Sequence, residues 1–147
     1  MAWKDARAQI KWLLETVSIT EPIKEAIARV YEFPPPTVQD VPCFIIGLPA
    51  LKIERGSSLR IRTYKVRLSL LVRDADVDRA AEIADAYREA ILDVFDADVT
   101  LGATSTQALA PEFEEGSGFE YPRGSGKHYV GYDIFLTVEI KEAKAFS

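Results

Sequence analysis

The sequence of 147 residues predicts an α+β domain of two layers, in which two amphipathic helices pack on one face of a mostly antiparallel sheet. Apolar and polar residues alternate over residues 62–72 and again over residues 129–140, as in long strands with one buried face. Apolar residues recur every three or four positions over residues 2–17 and 77–95, which places one apolar stripe on each helix. A long Gly-rich loop over residues 103–127 completes the predicted domain.

The first elements are a helix over residues 2–17 and a segment with two interpretations. In residues 18–33, Pro22 suits the first turn of a short helix. Alternatively, residues 28–33 are already extended, because a residue that precedes proline avoids the helical region. Residues 34–36 are all proline and predict a stiff spacer.

The middle of the chain begins with a short apolar run over residues 41–47, which predicts a strand. Residues 48–58 predict a connection, with a flexible tip at the Gly-Ser-Ser of residues 56–58. The long strand and the long helix follow. Asp74 or Asp76 is placed to cap this helix, since a carboxylate there accepts free amide hydrogens at the positive end of the helix dipole.

The last third contains the least regular stretch. Residues 99–101 predict a brief strand that ends at Gly102. The loop of residues 103–127 is long for a small domain, and loops of this length are usually functional or mobile. Its acidic residues are Glu112, Glu114, Glu115 and Glu120. The final strand is followed by a predicted flexible tail over residues 141–147.

Composition sets limits on the function. Hydrophobic residues make up 48% of the chain, which is enough for one domain with a substantial core. No apolar run approaches the roughly 18 residues that a membrane-spanning helix needs. The single cysteine, Cys43, excludes an internal disulfide and fits a reducing compartment. The net charge of −5 disfavours a protein that grips DNA, because that affinity comes mostly from neutralised phosphates.

No motif in the sequence predicts catalysis, a cofactor or a metal site. The Gly-Ser-Gly-Lys of residues 124–127 resembles a phosphate loop, but it lacks the first glycine and runs into a strand instead of a helix. Cys43 and His128 are conceivable as a nucleophile pair. The thiol nevertheless lies in an apolar run, where cysteine is usually a small buried hydrophobe.

The order of the elements carries one resemblance. The matching features are the N-terminal helix, a strand that meets paired prolines (28–35), a short apolar strand (42–46), a long strand (63–72), a long helix (77–95), a long loop, and a closing strand (129–138). This order resembles that of the tail terminator, or tail completion, proteins of long-tailed bacteriophages. Related neck proteins share much of it.

The resemblance implies a virion structural protein that forms a hexameric ring. Such a ring caps the tail tube, ends tail polymerisation and joins the tail to the head. The expected partners are other copies of the chain, the major tail tube protein and a head–neck connector protein, with DNA only passing through the lumen. The expected location is the tail–neck junction of the virion, after assembly in the host cytoplasm and without a membrane.

Residue patterns suggest where such a ring makes contact. Rings close through heterologous contacts, in which one patch meets a different patch on the neighbour. The predicted interface residues, chosen from strand faces and charge, are Arg62, Lys65, Arg67, Asp133 and Glu139. The four glutamates of the 103–127 loop are predicted to line the lumen, where negative charge lets DNA pass without sticking.

Three alternatives stay open from the sequence. Within the same class, the chain is a neck adaptor or head-completion protein. In another class, it is a small ligand-binding α+β module, which predicts a pocket near Tyr64, Tyr132 and His128. The third is a cysteine hydrolase, which predicts a lowered pKa and a reactive thiol at Cys43.

Overall fold

Ten strands and two helices occur in the described part of the computed structural model, which covers residues 2–72, 77–103, 105, 107–108, 111–113, 117–121 and 124–143. The helices are α1 (Trp3–Glu15) and α2 (Val77–Asp96). The strands are β1 (Ser18–Ile19), β2 (Glu25–Ala26), β3 (Arg29–Tyr31), β4 (Cys43–Ile46), β5 (Ala50–Arg55), β6 (Leu59–Val72), β7 (Gln107–Ala108), β8 (Glu112–Phe113), β9 (Ser117–Glu120) and β10 (His128–Ala143).

Both predicted helices are confirmed, and their apolar stripes enter the core. The buried residues of α1 are Ala6, Ile10, Leu13 and Leu14. Those of α2 are Ala80, Ile83, Ala84, Tyr87, Ile91 and Phe95. Arg88 interrupts the second stripe, and its guanidinium lies 5.2 Å from the ring centroid of Tyr132. The predicted caps, Asp74 and Asp76, lie outside the described residues.

The long strands β6 and β10 form the centre of the sheet. They pair antiparallel along the whole of β6, from Val130 opposite Val72 to Ala143 opposite Leu59. The sheet order is β3-β4-β6-β10-β7, with β5 also on β6 and with β8 and β9 also on β10. Only β3 and β4 pair in parallel among the described strands. The predicted α+β class with a mostly antiparallel sheet is therefore confirmed.

The core lies between the helices and one face of this sheet, called the helix face here. The strand residues that contribute to it are alternate residues of β6 and β10, as predicted: Tyr64, Val66, Leu68, Leu70, Val72, Ile134, Leu136, Val138 and Ile140. The intervening residues lie on the opposite face, called the outer face here.

Two segments in the first half of the chain differ from their predicted structure. Residues 18–33 form the hairpin of β1 and β2 followed by β3, so the extended alternative is correct and the short helix is wrong. Residues 48–58 are not only a connection, because β5 pairs with β6 along its whole length. The predicted tip at residues 56–58 is the turn of that hairpin, closed by the Gly56 amide donating to the Leu59 carbonyl at 2.7 Å.

Residues 99–101 form a turn, so the predicted brief strand is wrong. The Asp98 carboxylate accepts hydrogen bonds from the Gly102 amide at 2.8 Å and from the Gln9 side chain at 3.1 Å. Leu101 adopts a positive φ of 49° and is fully buried. The hydrogen bonds to Asp98 and the burial of the Leu101 side chain therefore stabilise a turn here, without pairing to another strand.

The described parts of residues 103–127 are more ordered than a long loop. They contain β7, β8 and β9, each of which pairs antiparallel with a different part of β10. The predicted tail is wrong for residues 141–143, because β10 continues through Ala143 and pairs with the start of β6, and residues 144–147 lie outside the described residues. Strands as short as β7 and β8 leave no periodic signal in the sequence, so their pairing with β10 could not be predicted.

The outer face is only partly polar, although the sequence predicts a polar face. One half carries a second apolar cluster of Tyr31, Val38, Cys43, Ile45, Leu71 and Tyr129. The segment after β3 covers this cluster: the Tyr121 hydroxyl donates to the Pro35 carbonyl, and the Tyr31 hydroxyl accepts from the Gln39 amide at 3.2 Å. The segment that begins with the three prolines therefore lies against this cluster.

Candidate interaction surfaces

Four of the five predicted interface residues lie together on the outer face, in its uncovered half. Lys65 and Arg67 are exposed on β6, and Asp133 and Glu139 are half-buried on β10. Their strand positions are all odd-numbered, and the register of β6 and β10 keeps odd positions on one side. The structure thus brings both signs of charge to a single surface, called the charged outer face here.

Phe135 is the centre of the charged outer face. The Lys65 ammonium lies 5.0 Å and the Arg67 guanidinium 5.5 Å from the centroid of its ring, within the range of a cation–π interaction. An open cleft beside it is lined by Gly47, Leu48, Ala50, Lys65, Arg67 and Phe135. Two cations on an aromatic ring beside an open cleft suit a carboxylate from another molecule.

The two acidic residues of this face, Asp133 and Glu139, each lie opposite a residue with a hydroxyl group. Asp133 accepts a hydrogen bond from the Ser69 hydroxyl at 2.7 Å, and Glu139 lies opposite Thr63 in the ladder. In the described part of the chain, neither acid forms an ion pair with Lys65 or Arg67. The charges of the outer face are therefore available for contacts with a different protein chain.

Arg62, the fifth predicted interface residue, lies on the helix face beyond the end of α1. It pairs with Glu142, which also pairs with Arg60, and it donates to the Tyr64 hydroxyl at 2.9 Å. Trp3 stacks on the Tyr64 ring with centroids 4.6 Å apart. The hydrogen bond from Arg60 and the nearby guanidinium charges lower the pKa of Glu142. Arg62 thus holds together one end of the domain and is not part of the charged outer face.

The predicted lumen residues are only partly described. Glu112 is exposed in β8 and lies opposite Phe135 on the outer face, in the same cross-strand row as Arg67. Glu120 belongs to β9, where its backbone pairs with His128. Glu114 and Glu115 lie outside the described residues. Glu112 therefore adds a negative charge to the edge of the charged outer face.

One exposed element, the strand β5, was not predicted from the sequence. All six of its residues are exposed, including Leu51 at 49% and Ile53 at 46%. It forms an edge of the sheet, because within the described chain it pairs only with β6. Its alternation of Leu51, Lys52, Ile53 and Glu54 is a period-two signal that could have identified it.

The two alternatives with a small-molecule site gain little from the geometry. Tyr64 lies beside Val138, Tyr132 beside Leu70 and His128 beside Glu120, so the ladder spreads the three proposed pocket residues along β10. Cys43 is fully buried, and burial, with a smaller contribution from Asp40, raises its pKa to about 12. Such a thiol is protonated at neutral pH and is a poor nucleophile.

The described residues offer neither a metal site nor a membrane-spanning helix. They contain no group of three or more His, Cys, Asp or Glu side chains arranged to hold a metal ion. Neither of their helices is both long and apolar enough to cross a lipid bilayer.

Comparison with known proteins assigns no family to the chain. No protein-family model matches the sequence, and a search of curated proteins finds no match.

Proposed function

We propose that this protein is a structural protein of a long-tailed bacteriophage, a tail terminator that assembles into a ring, caps the tail tube and joins it to the neck. The observation that carries the proposal is the charged outer face. It occupies the middle of two strands of 14 and 16 residues, yet no described element covers it. Long strands with an uncovered, charged face are suited to contact another subunit.

The order of elements also supports the proposal. An N-terminal helix, a strand that leads into prolines, a short buried strand, a long strand, a long helix and a long closing strand all occur in that order. The strands β5, β7, β8 and β9 were not part of the resemblance. They extend the sheet beside β6 and β10 beyond the strands that carry the resemblance.

The charged outer face gives the ring a heterologous contact. Lys65 and Arg67 of one copy meet an acidic surface of the next, and Phe135 between them excludes water from the contact. Desolvation strengthens such pairs relative to exposed ones. The same surface also fits the second candidate, a neck adaptor, because that protein assembles beside a ring and shares much of the element order.

The first test is the mass of the purified protein in solution at several concentrations and two salt levels. We expect a species of about six subunits that loses mass at high salt, since salt screens the exposed charges of the separate subunits and weakens their attraction. The double variant Lys65→Glu, Arg67→Glu should not form this ring-sized species. Lys4→Glu, Lys24→Glu is the matched control, because both lysines are exposed away from the outer face. Equal assembly of the two double variants would contradict the proposed contact.

The second test separates the tail terminator from the neck adaptor. Purified protein is added to the tail tube protein of the same virus during tube polymerisation, and tubes are measured by electron microscopy. The proposal predicts shorter tubes with a ring at one end. Tubes of unchanged length, with rings bound to the head connector instead, would support the neck adaptor.

The proposed lumen needs a separate test. The variant with Glu114, Glu115 and Glu120 changed to Gln is expected to leave ring formation unchanged and to slow DNA ejection. Glu112 is kept in this variant because it lies beside the proposed ring contact. The reason is that DNA would then lose the repulsion that keeps it from sticking to the wall. Unchanged ejection would remove these residues from the lumen.

A further inference from the structure

The strand β5 presents an open edge that the proposed ring contact does not use. Its six residues are all exposed, and it runs beside β6 from Ala50 opposite Lys65 to Arg55 opposite Arg60. Edge strands usually carry protection against pairing with another chain, such as proline, a bulge, extreme shortness or exposed charges, lysine above all. The charges of Lys52 and Glu54 have opposite signs and lie 3.1 Å apart within the chain, so a second copy in the right register can match both of them. Residues 50–55 contain no proline and no glycine.

The hydrogen-bonding groups of this edge can be assigned from the hairpin. The Gly56 amide donates to the Leu59 carbonyl, so residues 56 and 59 form a hydrogen-bonded pair. Such pairs alternate along an antiparallel ladder, which turns the backbone groups of residues 54, 52 and 50 toward β6. Those of Leu51, Ile53 and Arg55 point away from β6, toward the open edge.

We propose that a second copy of this chain adds to β5, in an antiparallel β5–β5 pair with a two-fold axis at Ile53. The two copies then form one continuous sheet. In this register Lys52 lies opposite Glu54 of the second copy, and Glu54 lies opposite its Lys52. Leu51 lies opposite Arg55 of the second copy, whose aliphatic stem can cover it. Every outward-facing backbone group of residues 51, 53 and 55 finds a partner.

Charge selects this register from its neighbours. A two-fold axis perpendicular to the sheet keeps each residue on its own face. The axis must therefore pass between the two copies of one residue, which lie directly opposite each other. An axis at Lys52 would place two lysines opposite each other, and one at Glu54 would place two glutamates opposite each other. Like charges in directly opposite positions are destabilising. The axis at Ile53 instead forms two Lys–Glu pairs and brings together two isoleucines that are each 46% exposed.

This inference does not depend on the proposed function. A two-fold pair is closed and cannot by itself form a ring, which needs the charged outer face or another heterologous surface. If both contacts form in solution, the β5 pairs join two rings back to back. Loss of the β5 pair then halves the mass of the assembly, whereas loss of the ring contact leaves a dimer, so the two failures are distinguishable.

Charge reversal tests the register. Lys52→Glu and Glu54→Lys each place like charges opposite each other twice, and each should weaken the dimer by about tenfold or more. The double variant Lys52→Glu, Glu54→Lys restores opposite charges in exchanged positions and should regain the dimer. Dissociation constants are measured by sedimentation. Single variants that dimerise as well as the original chain, or a double variant that stays monomeric, would overturn the proposal.

A disulfide trap tests the axis. Hydrogen-bonded residue pairs have Cα atoms about 5.5 Å apart, within the range of a disulfide, so Ile53→Cys should cross-link two copies under oxidation. Leu51→Cys is the matched control, because it is on the same face and is equally exposed. In the proposed register its two copies lie about 13 Å apart along the strands. The native Cys43 is buried and does not compete. Faster cross-linking at position 51 than at position 53 would overturn the register.

Discussion

Gly131 offers the sharpest test of the central strand pair. It is buried in β10 opposite Leu71 of β6. A Cβ atom added there would lie 1.7 Å from the Leu70 carbonyl oxygen and 2.8 Å from its carbonyl carbon. Both atoms belong to the backbone of the neighbouring strand, so no side-chain rotation relieves the clash. The variant Gly131→Ala is therefore expected to force β6 and β10 apart.

The size of the effect follows from that distance. Real Cβ atoms are essentially never found closer than 3.0 Å to a backbone atom of another residue. The strands must therefore separate until the distance from the new Cβ atom to the Leu70 carbonyl oxygen increases from 1.7 Å to at least 3.0 Å. A shift of that size breaks ladder hydrogen bonds in a close-packed core. Overpacking of a core costs about 1–3 kcal/mol, and we expect the upper end, about 3 kcal/mol, because backbone must move. For a domain of this size that lowers Tm by about 9 °C.

The assay is equilibrium unfolding in urea, with the midpoint and the slope fitted separately. Gly56→Ala is the matched control, because its nearest contact would be an ordinary 3.7 Å and it should stay within about 0.5 kcal/mol of the original chain. If Gly131→Ala has the stability of that control, the described close approach of β10 to Leu70 is wrong.

Three further outcomes follow from buried or paired groups. Because the Cys43 pKa is raised from 9.0 to about 12 in the folded chain, only the unfolded thiol ionises between these values, and stability falls as pH rises through that window. Cys43→Ala should reduce the loss between pH 8 and pH 10 by about 1 kcal/mol in urea titrations, and an unchanged slope would refute the assignment. Tyr87→Phe removes the hydrogen bond from its hydroxyl to Glu25 at 2.9 Å and should cost about 1 kcal/mol, measured by thermal unfolding. Equal melting temperatures would show that the bond contributes nothing. The pKa of Glu142 is lowered from 4.5 by Arg60, so its contribution is present above that pH and is lost as the pH falls through the lowered pKa. Glu142→Gln should therefore flatten the acid limb of the stability curve, and an equally steep limb in both proteins would contradict the pairing.

Much of the fold could be predicted because it depends on the local periodicity of apolar residues. The stripes of α1 and α2 and the inward side chains of β6 and β10 follow directly from periods of 3.6 and 2. The candidate surface was partly predictable for the same reason, since parity alone assigns Lys65, Arg67, Asp133 and Glu139 to one face of the sheet. Parity also assigns Arg62 to the other face. No local pattern in the sequence predicts that the helices end before they reach Arg62. Nor does any predict that Arg62 pairs with Glu142 there.

The sequence by itself determined the α+β class, the two helices and the two long strands, because each of these depends on a pattern within one segment. Only the tertiary structure decided which segments became edges. Strands β7, β8 and β9 exist because β10 offers a template for them, and β5 exists because its hairpin register with β6 places six exposed residues in a ladder. Pairing of this kind depends on two segments together, so the pattern within either segment does not predict it. The open edge of β5 and the close approach at Gly131 therefore appear only when the strands are brought together.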